Sequence, residues 1–192
     1  ETVLADAKRS GFDQIICNGD MIQGGPQPHE TVQLLQEMKC PSVMGNSDAW
    51  LLTGGEAGAE ALSEERLKKL NTVREWSLSQ LNEEDRKFIN GFQPTVKLDL
   101  GNNKSLLAFH GSPTSFDQVL LPSTPEEEFQ ETLKPYASHI LTGGHVHLQY
   151  SRRLQDSENF YFNPGSVGIA YNHEQTGEQN LLDPWVEYAV LT

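Results

Sequence analysis

Positive charge is scarce in this chain. Its 192 residues carry 14 lysines and arginines against 27 aspartates and glutamates, a net charge of −13 with histidine neutral. Binding to a nucleic-acid duplex depends on clustered Lys and Arg that release counterions, so a duplex is excluded as the main partner. Phosphate chemistry is not excluded, because a bound metal ion can supply the missing positive charge. Cysteine is nearly absent: Cys17 and Cys40 are the only two. Two cysteines build no disulfide framework, and a reducing cytoplasm is the simplest compartment. No apolar run approaches the ~20 residues that span a bilayer. Glu1 to Ser10 mixes polar with apolar residues, unlike a secretory leader. Neither membrane insertion nor export is therefore expected. What is present is apolar material, 36% of the residues, enough for the core of one domain taken as 1–192.

The apolar pattern then sets the order of elements. Val3, Leu4 and Ala7 stand at helical spacing and Ser10-Gly11 stops the run, so the chain opens inside a helix. Residues 14–17 read as a short buried strand closed by Asn18-Gly19-Asp20. Val32, Leu34, Leu35 and Met38 predict a helix stopped by Pro41, and 42–44 a second strand before Gly45-Asn46. Helices alternating with strands indicate an α/β sheet, whose ligands bind beyond the carboxyl ends of its strands. Asp20 and Asn46 stand at such ends. Residues 57–90 are helical in composition, with Ser63-Glu64 and Ser79 with Glu83 as candidate starts. From Val96 the alternation is strand-like, with a hairpin turn at Gly101-Asn102-Asn103. A helix is expected near 126–133, and strands over 139–142, 148–154, 160–162 and 186–191.

Four short motifs close strand-like runs: Gly19-Asp20, Gly45-Asn46-Ser47-Asp48, His110-Gly111 and Gly144-His145-Val146-His147. A fifth, Asn163-Pro164-Gly165-Ser166-Val167-Gly168, closes a later strand. Carboxylate, amide oxygen and imidazole form a mixed ligand set that suits Mn²⁺, Fe, Zn²⁺ or Ni²⁺ better than Ca²⁺. Each residue alone has a blander reading: Asp20 as a cap, Asn46 as a left-handed turn residue, His110 as a satisfied core histidine. His145 and His147, two apart on an extended segment, point to opposite sides unless Gly143-Gly144 bends the chain. Four motifs together favour the ligands. His29 reads as a surface residue and His139 as structural. His173 falls in a polar segment, 171–179, that is a candidate lid. Arg152 and Arg153 read as ion-pair partners rather than phosphate ligands, and Cys17 and Cys40 as buried small hydrophobes.

In this order the motifs resemble those of the calcineurin-like metallophosphoesterases. The loop 24–28 and the tail 163–168 are similar to the small bacterial and archaeal phosphodiesterase branch of that family. The resemblance runs over about 1–168. It implies a four-layer α/β/β/α sandwich of two mixed sheets. It implies that Asp20 bridges two metal ions, that Asn46, His110 and His145 complete the second site, and that His147 belongs to the first. Asp20, Asn46 and His110 are then the implied catalytic residues. The implied reaction is hydrolysis of a small phosphate ester, phosphodiesters ahead of monoesters, by a metal-bound hydroxide, with Mn²⁺ the favoured ion.

Two departures from the family pattern carry expectations. The family opens on a strand ending in Asp-x-His, which supplies half of the first metal site, and this sequence has no such strand. About 10–15 residues are expected to be missing before Glu1. With Asp20 and His147 as the only ligands left to the first site, one tightly held metal and weak activity are expected. An unpaired sheet edge would invite a second copy, so a homo-oligomer is also expected. The second departure is Ser47, where many members carry a general-acid histidine. A serine hydroxyl cannot protonate a leaving group near neutral pH. The rival readings are a protein-binding scaffold, since one subunit of the eukaryotic retromer coat resembles this fold, and an inactive N-terminally truncated form of the enzyme. Retention of Asp20, Asn46, His110, His145 and His147 speaks for the enzyme.

Overall fold

A computed structural model describes residues 2–55, 63–136, 138–155, 158–172 and 182–192. His173 and most of the expected lid lie outside the described residues. Strand β2 (Lys104–Phe109) is central to the fold because its apolar residues face both ways. Leu107 and Phe109 pack with Phe129, Leu133, Leu141 and Tyr161. Leu106 and Ala108 pack on the other side with Val43 and Phe162. A strand covered on both faces reads as a continuous apolar run, as Leu106 to Phe109 does.

Around β2 stands a mixed five-stranded sheet, ordered β1-β2-β3-β5-β4. Strand β1 (Thr95–Gly101) pairs antiparallel with β2 through the expected hairpin. Asn102 and Asn103 take φ of 51° and 59°, the left-handed pair that a two-residue hairpin turn needs. Strands β3 (Ile140–Thr142) and β5 (Phe160–Pro164) continue the sheet in parallel, and β4 (Gln149–Arg153) closes it antiparallel to β5. Helix α6 (Glu126–Leu133) spans the residues expected of it and buries Phe129 and Leu133 on the sheet.

The first half of the chain is mainly helical. Helix α1 (Thr2–Ser10) stops at Gly11, as anticipated. Helices α2 (Pro28–Glu37), α3 (Asn46–Thr53), α4 (Glu64–Gln80) and α5 (Glu83–Asn90) enclose Ile22, Val32, Leu35, Leu51 and Ile89. His29 is no idle surface group: its Nδ1–H donates to Asp85 at 2.7 Å and ties α2 to α5.

Several expectations change. The mixed α/β class holds, but the described residues complete one sheet rather than two. Residues 14–17 meet 42–44 through the parallel bridge Cys17–Ser42, and Val43 forms a second parallel bridge to Gln93. Neither bridge extends into a ladder among the described residues. Helix α3 was not anticipated, because Asn46 reads as a turn residue; Asp48 begins the helix by accepting from the Gly45 N–H at 3.2 Å. Ser79 lies inside α4, and Asn82 caps α5 by accepting from Asp85 N at 2.9 Å. Residues 186–191 form no strand despite their alternation. Their backbone finds Ser166 O from Glu187 N at 3.0 Å and the Gln149 side chain at Tyr188 O, not a neighbouring strand. Cys17 and Cys40 are free thiols, 3.4 Å apart, in or beside the first core.

Candidate metal centre

One buried carboxylate organises the first two motifs. Asp48 is fully buried. It accepts from Asp20 N at 2.7 Å, Met21 N at 3.2 Å and Gly45 N at 3.2 Å. These bonds hold Asp20 at φ 56°, a left-handed conformation uncommon outside glycine. Ser47 N, in the first turn of α3, donates to Asp20 Oδ1 at 2.8 Å. That leaves Oδ2 turned toward His110. Gly45 must be glycine for room, since a Cβ there would lie 2.1 Å from Asp20 Oδ1.

His110 closes strand β2 and is buried. Its Nδ1–H donates to the carbonyl of Asn18 at 2.6 Å, which fixes the tautomer. Nε2 therefore faces Asp20 Oδ2 at 3.3 Å and Asn46 Oδ1 at 3.1 Å. His145 Nδ1 lies 3.1 Å from the same Asn46 oxygen. Ligand atoms of Asp20, His110 and His145 all lie within 4.8 Å of one another. A nitrogen lone pair aimed at two oxygens is repelled unless a cation sits between them. Burial pushes the His110 pKa down, but the hydrogen bond and charge of Asp20 outweigh it and the net direction is up. Burial also raises Asp20, and His110 with the Ser47 bonds brings it below its usual value.

The last histidines arrive by an unexpected route. His145 and His147 themselves take φ of 66° and 55°. The bend lies at the histidines, not at Gly143 and Gly144. Those glycines supply clearance instead: a Cβ on Gly143 would meet Tyr161 Oη at 2.5 Å, and one on Gly144 the Asn18 carbonyl at 2.9 Å. Burial lowers the pKa of both His145 and His147, which keeps the rings neutral and ready to ligate. His147 does not join the cluster within 4.8 Å. Its Nδ1 is nevertheless buried without a hydrogen-bond partner, an orphan that a metal ion would satisfy. The donors fit a divalent transition metal.

Three supporting residues went unassigned in the sequence. Asn18 straps two loops together, donating from Nδ2 to Thr142 Oγ1 at 2.9 Å and to Gly143 O at 3.1 Å. Asn163 Nδ2 donates to Gly144 O at 2.6 Å. Asp48 is the third. Only their places inside the quoted motifs could have marked them. Arg152 is turned to structure: it donates to Thr124 O, pairs with Glu126 and lies 4.3 Å over the Phe129 ring. His139 is structural, its Nδ1 accepting from Ser105 N at 3.4 Å.

Carboxylate, amide and imidazoles come together in a mixed α/β fold, a donor set that fits a divalent metal. The chain belongs to the calcineurin-like phosphoesterase superfamily, whose domain model matches residues 1–182. The chemistry of that family is metal-dependent hydrolysis of phosphoesters. An uncharacterised protein of Methanocaldococcus jannaschii is 26% identical, covering 86% of this chain and 69% of that one. Two solved structures share the fold. A metallophosphoesterase from Sphaerobacter thermophilus matches with TM-score 0.65 and 21% identity, over 90% of this chain and 72% of that one. A hypothetical protein from Pyrococcus horikoshii matches with TM-score 0.69 and 15% identity, over 98% and 81%.

Proposed function

We propose that this chain, as a single domain, hydrolyses small phosphate esters, phosphodiesters ahead of monoesters. The observation that carries the reading is the cluster of Asp20, His110 and His145 ligand atoms within 4.8 Å of one another, with His110 Nε2 and His145 Nδ1 each 3.1 Å from the Asn46 amide oxygen. Asp20, Asn46, His110 and His145 would hold one ion tightly, with His147 beside it, and Mn²⁺ is the first candidate. Bound there, the ion supplies Lewis acidity and lowers the pKa of water. Asp20 is aimed by Ser47 N and by Asp48, and His110 is aimed by Asn18, so their donor atoms need no reorganisation on loading.

Two features favour diesters. Ser47 offers backbone N–H to Asp20 and no proton to a departing alkoxide. A diester also carries one negative charge where a monoester carries up to two, and Arg152 is engaged elsewhere. Among the described residues no helix is long and apolar enough to cross a membrane. The free thiols of Cys17 and Cys40 support a reducing cytoplasm. Exposed Val167, Ile169 and Trp185 support association with a second copy.

The test joins metal content, by elemental analysis, to turnover of bis(4-nitrophenyl) phosphate. Chelation should abolish turnover and Mn²⁺ should restore it. Turnover indifferent to chelator would overturn the metal reading. Tight metal binding with no turnover of any ester would leave the scaffold reading in its place.

A further inference from the structure

A cleft of about 450 Å³ opens beside the metal centre, within the roughly 300–1,000 Å³ usual for small-molecule sites. His145 is part of its wall, so the cleft and the ligand cluster share a side chain. Among the described residues the rest of the wall is Val119, Leu121, Pro122, Val146, Leu148, Tyr171 and Asn172. Val119 is 49% exposed, so an entering group can reach it. None of these side chains is a lysine, an arginine or a carboxylate. A second phosphate or a carboxylate entering here would lose its water and gain no countercharge. An uncharged apolar group would bury surface against the wall.

We propose that this cleft receives an organic arm of the substrate, and that it selects an uncharged apolar arm, aromatic or alkyl, over a charged one. The inference rests on the metal centre proposed above and narrows its substrates. They are phosphate esters of apolar alcohols or phenols, and polyphosphates are disfavoured. Phosphorus lies at the cluster, and the arm extends past His145 toward Val119 and Leu148.

The test is calorimetric and needs no turnover. Methylphosphonate, phenylphosphonate and 4-carboxyphenylphosphonate are titrated into the Mn²⁺-loaded protein. Phenylphosphonate should bind about tenfold more tightly than methylphosphonate, the scale of an apolar pocket contact, and the carboxylate should cancel the gain. Val119→Asp and Leu121→Ser should each bring the phenyl-to-methyl ratio toward one. Val73→Asp, on the exposed face of α4, should leave the ratio as it is. A ratio near one in the unaltered protein, or a ratio that Val119→Asp and Leu121→Ser both leave intact, overturns the cleft. Absence of ester turnover with the ratio present would sink the hydrolytic reading and leave the cleft standing.

Discussion

Asp48 sets up a stability difference whose sign depends on pH. Its carboxyl is fully buried, and burial together with the charge of Asp20 pushes its pKa from 3.8 up to about 7. The folded protein therefore holds a proton that the unfolded chain gives up. Stability from this group is whole below the unfolded value, falls as pH rises, and levels off above the folded value. The span is about 3 decades, and at about 1.4 kcal/mol per decade the ionised Asp48 costs the fold ~4 kcal/mol. Asp48→Asn removes the charge. It also turns an amide NH₂ toward a backbone donor, because Oδ1 accepts from Met21 N while Oδ2 serves Asp20 N and Gly45 N. One unsatisfied donor costs about 2 kcal/mol at any pH. The two effects cross near pH 5 by this arithmetic, about 1.4 kcal/mol for each pH unit above 3.8. The variant should be close to neutral at about pH 5 and more stable than the parent by about 2 kcal/mol at about pH 8. Urea unfolding of the metal-free proteins at both values measures it. A difference that does not move with pH would show that Asp48 titrates alike in the folded and unfolded states. The gain should come with weaker Mn²⁺ binding, since the loop carrying Asp20 loses one of its ties.

Gly45→Ala places a Cβ 2.4 Å from Asp20 N as well as against its carboxylate, so backbone must move; loss of metal in elemental analysis and roughly 2 kcal/mol or more of stability are expected. Gly168→Ala, with nothing within 4 Å of its Cβ, should be tolerated, and equal losses in the two would refute the packing account. Asn18→Ala cuts both bonds of the strap to Thr142 and Gly143; it should cost about 1–3 kcal/mol and weaken Mn²⁺ binding in calorimetry. Asn18→Asp should not restore the affinity, because a carboxylate can take the Thr142 hydroxyl proton but meets the Gly143 carbonyl as an acceptor. Full affinity in Asn18→Asp would argue that the strap plays no part in aiming the ligands.

The proposed ligands stand out in the sequence because metal chemistry restricts residue type: a carboxylate, an amide and imidazoles follow glycine or precede it in four ordered motifs. Their supports are harder to read. Asn18 acts on Thr142, 124 positions away, through a partner that only the fold reveals. The usual freedom of glycine points to Gly143 and Gly144 for the bend before the histidines. Here the glycines are needed for clearance, and the strained backbone sits on His145 and His147 where neighbours over-determine it. Helices α2 and α6 and strands β1 to β5 follow from local pattern. Helix α3 does not, because its first residue is also a ligand. Residues 186–191 show the converse failure: alternation describes a strand's own preference but cannot supply a neighbour to pair with.

The donors of the proposed metal centre come from four stretches of chain that no local structure joins, at positions 20, 46, 110 and 145. An unfolded chain cannot bring them together, so the ion binds the folded form almost exclusively. Metal supply then becomes a term in the lifetime of the protein. At a free ion concentration one hundred times Kd the fold gains about 2.7 kcal/mol, close to a hundredfold drop in the fraction open to proteases. A cell starved of the ion would lose the protein itself as well as its activity, and the amount of this chain would track the metal it carries.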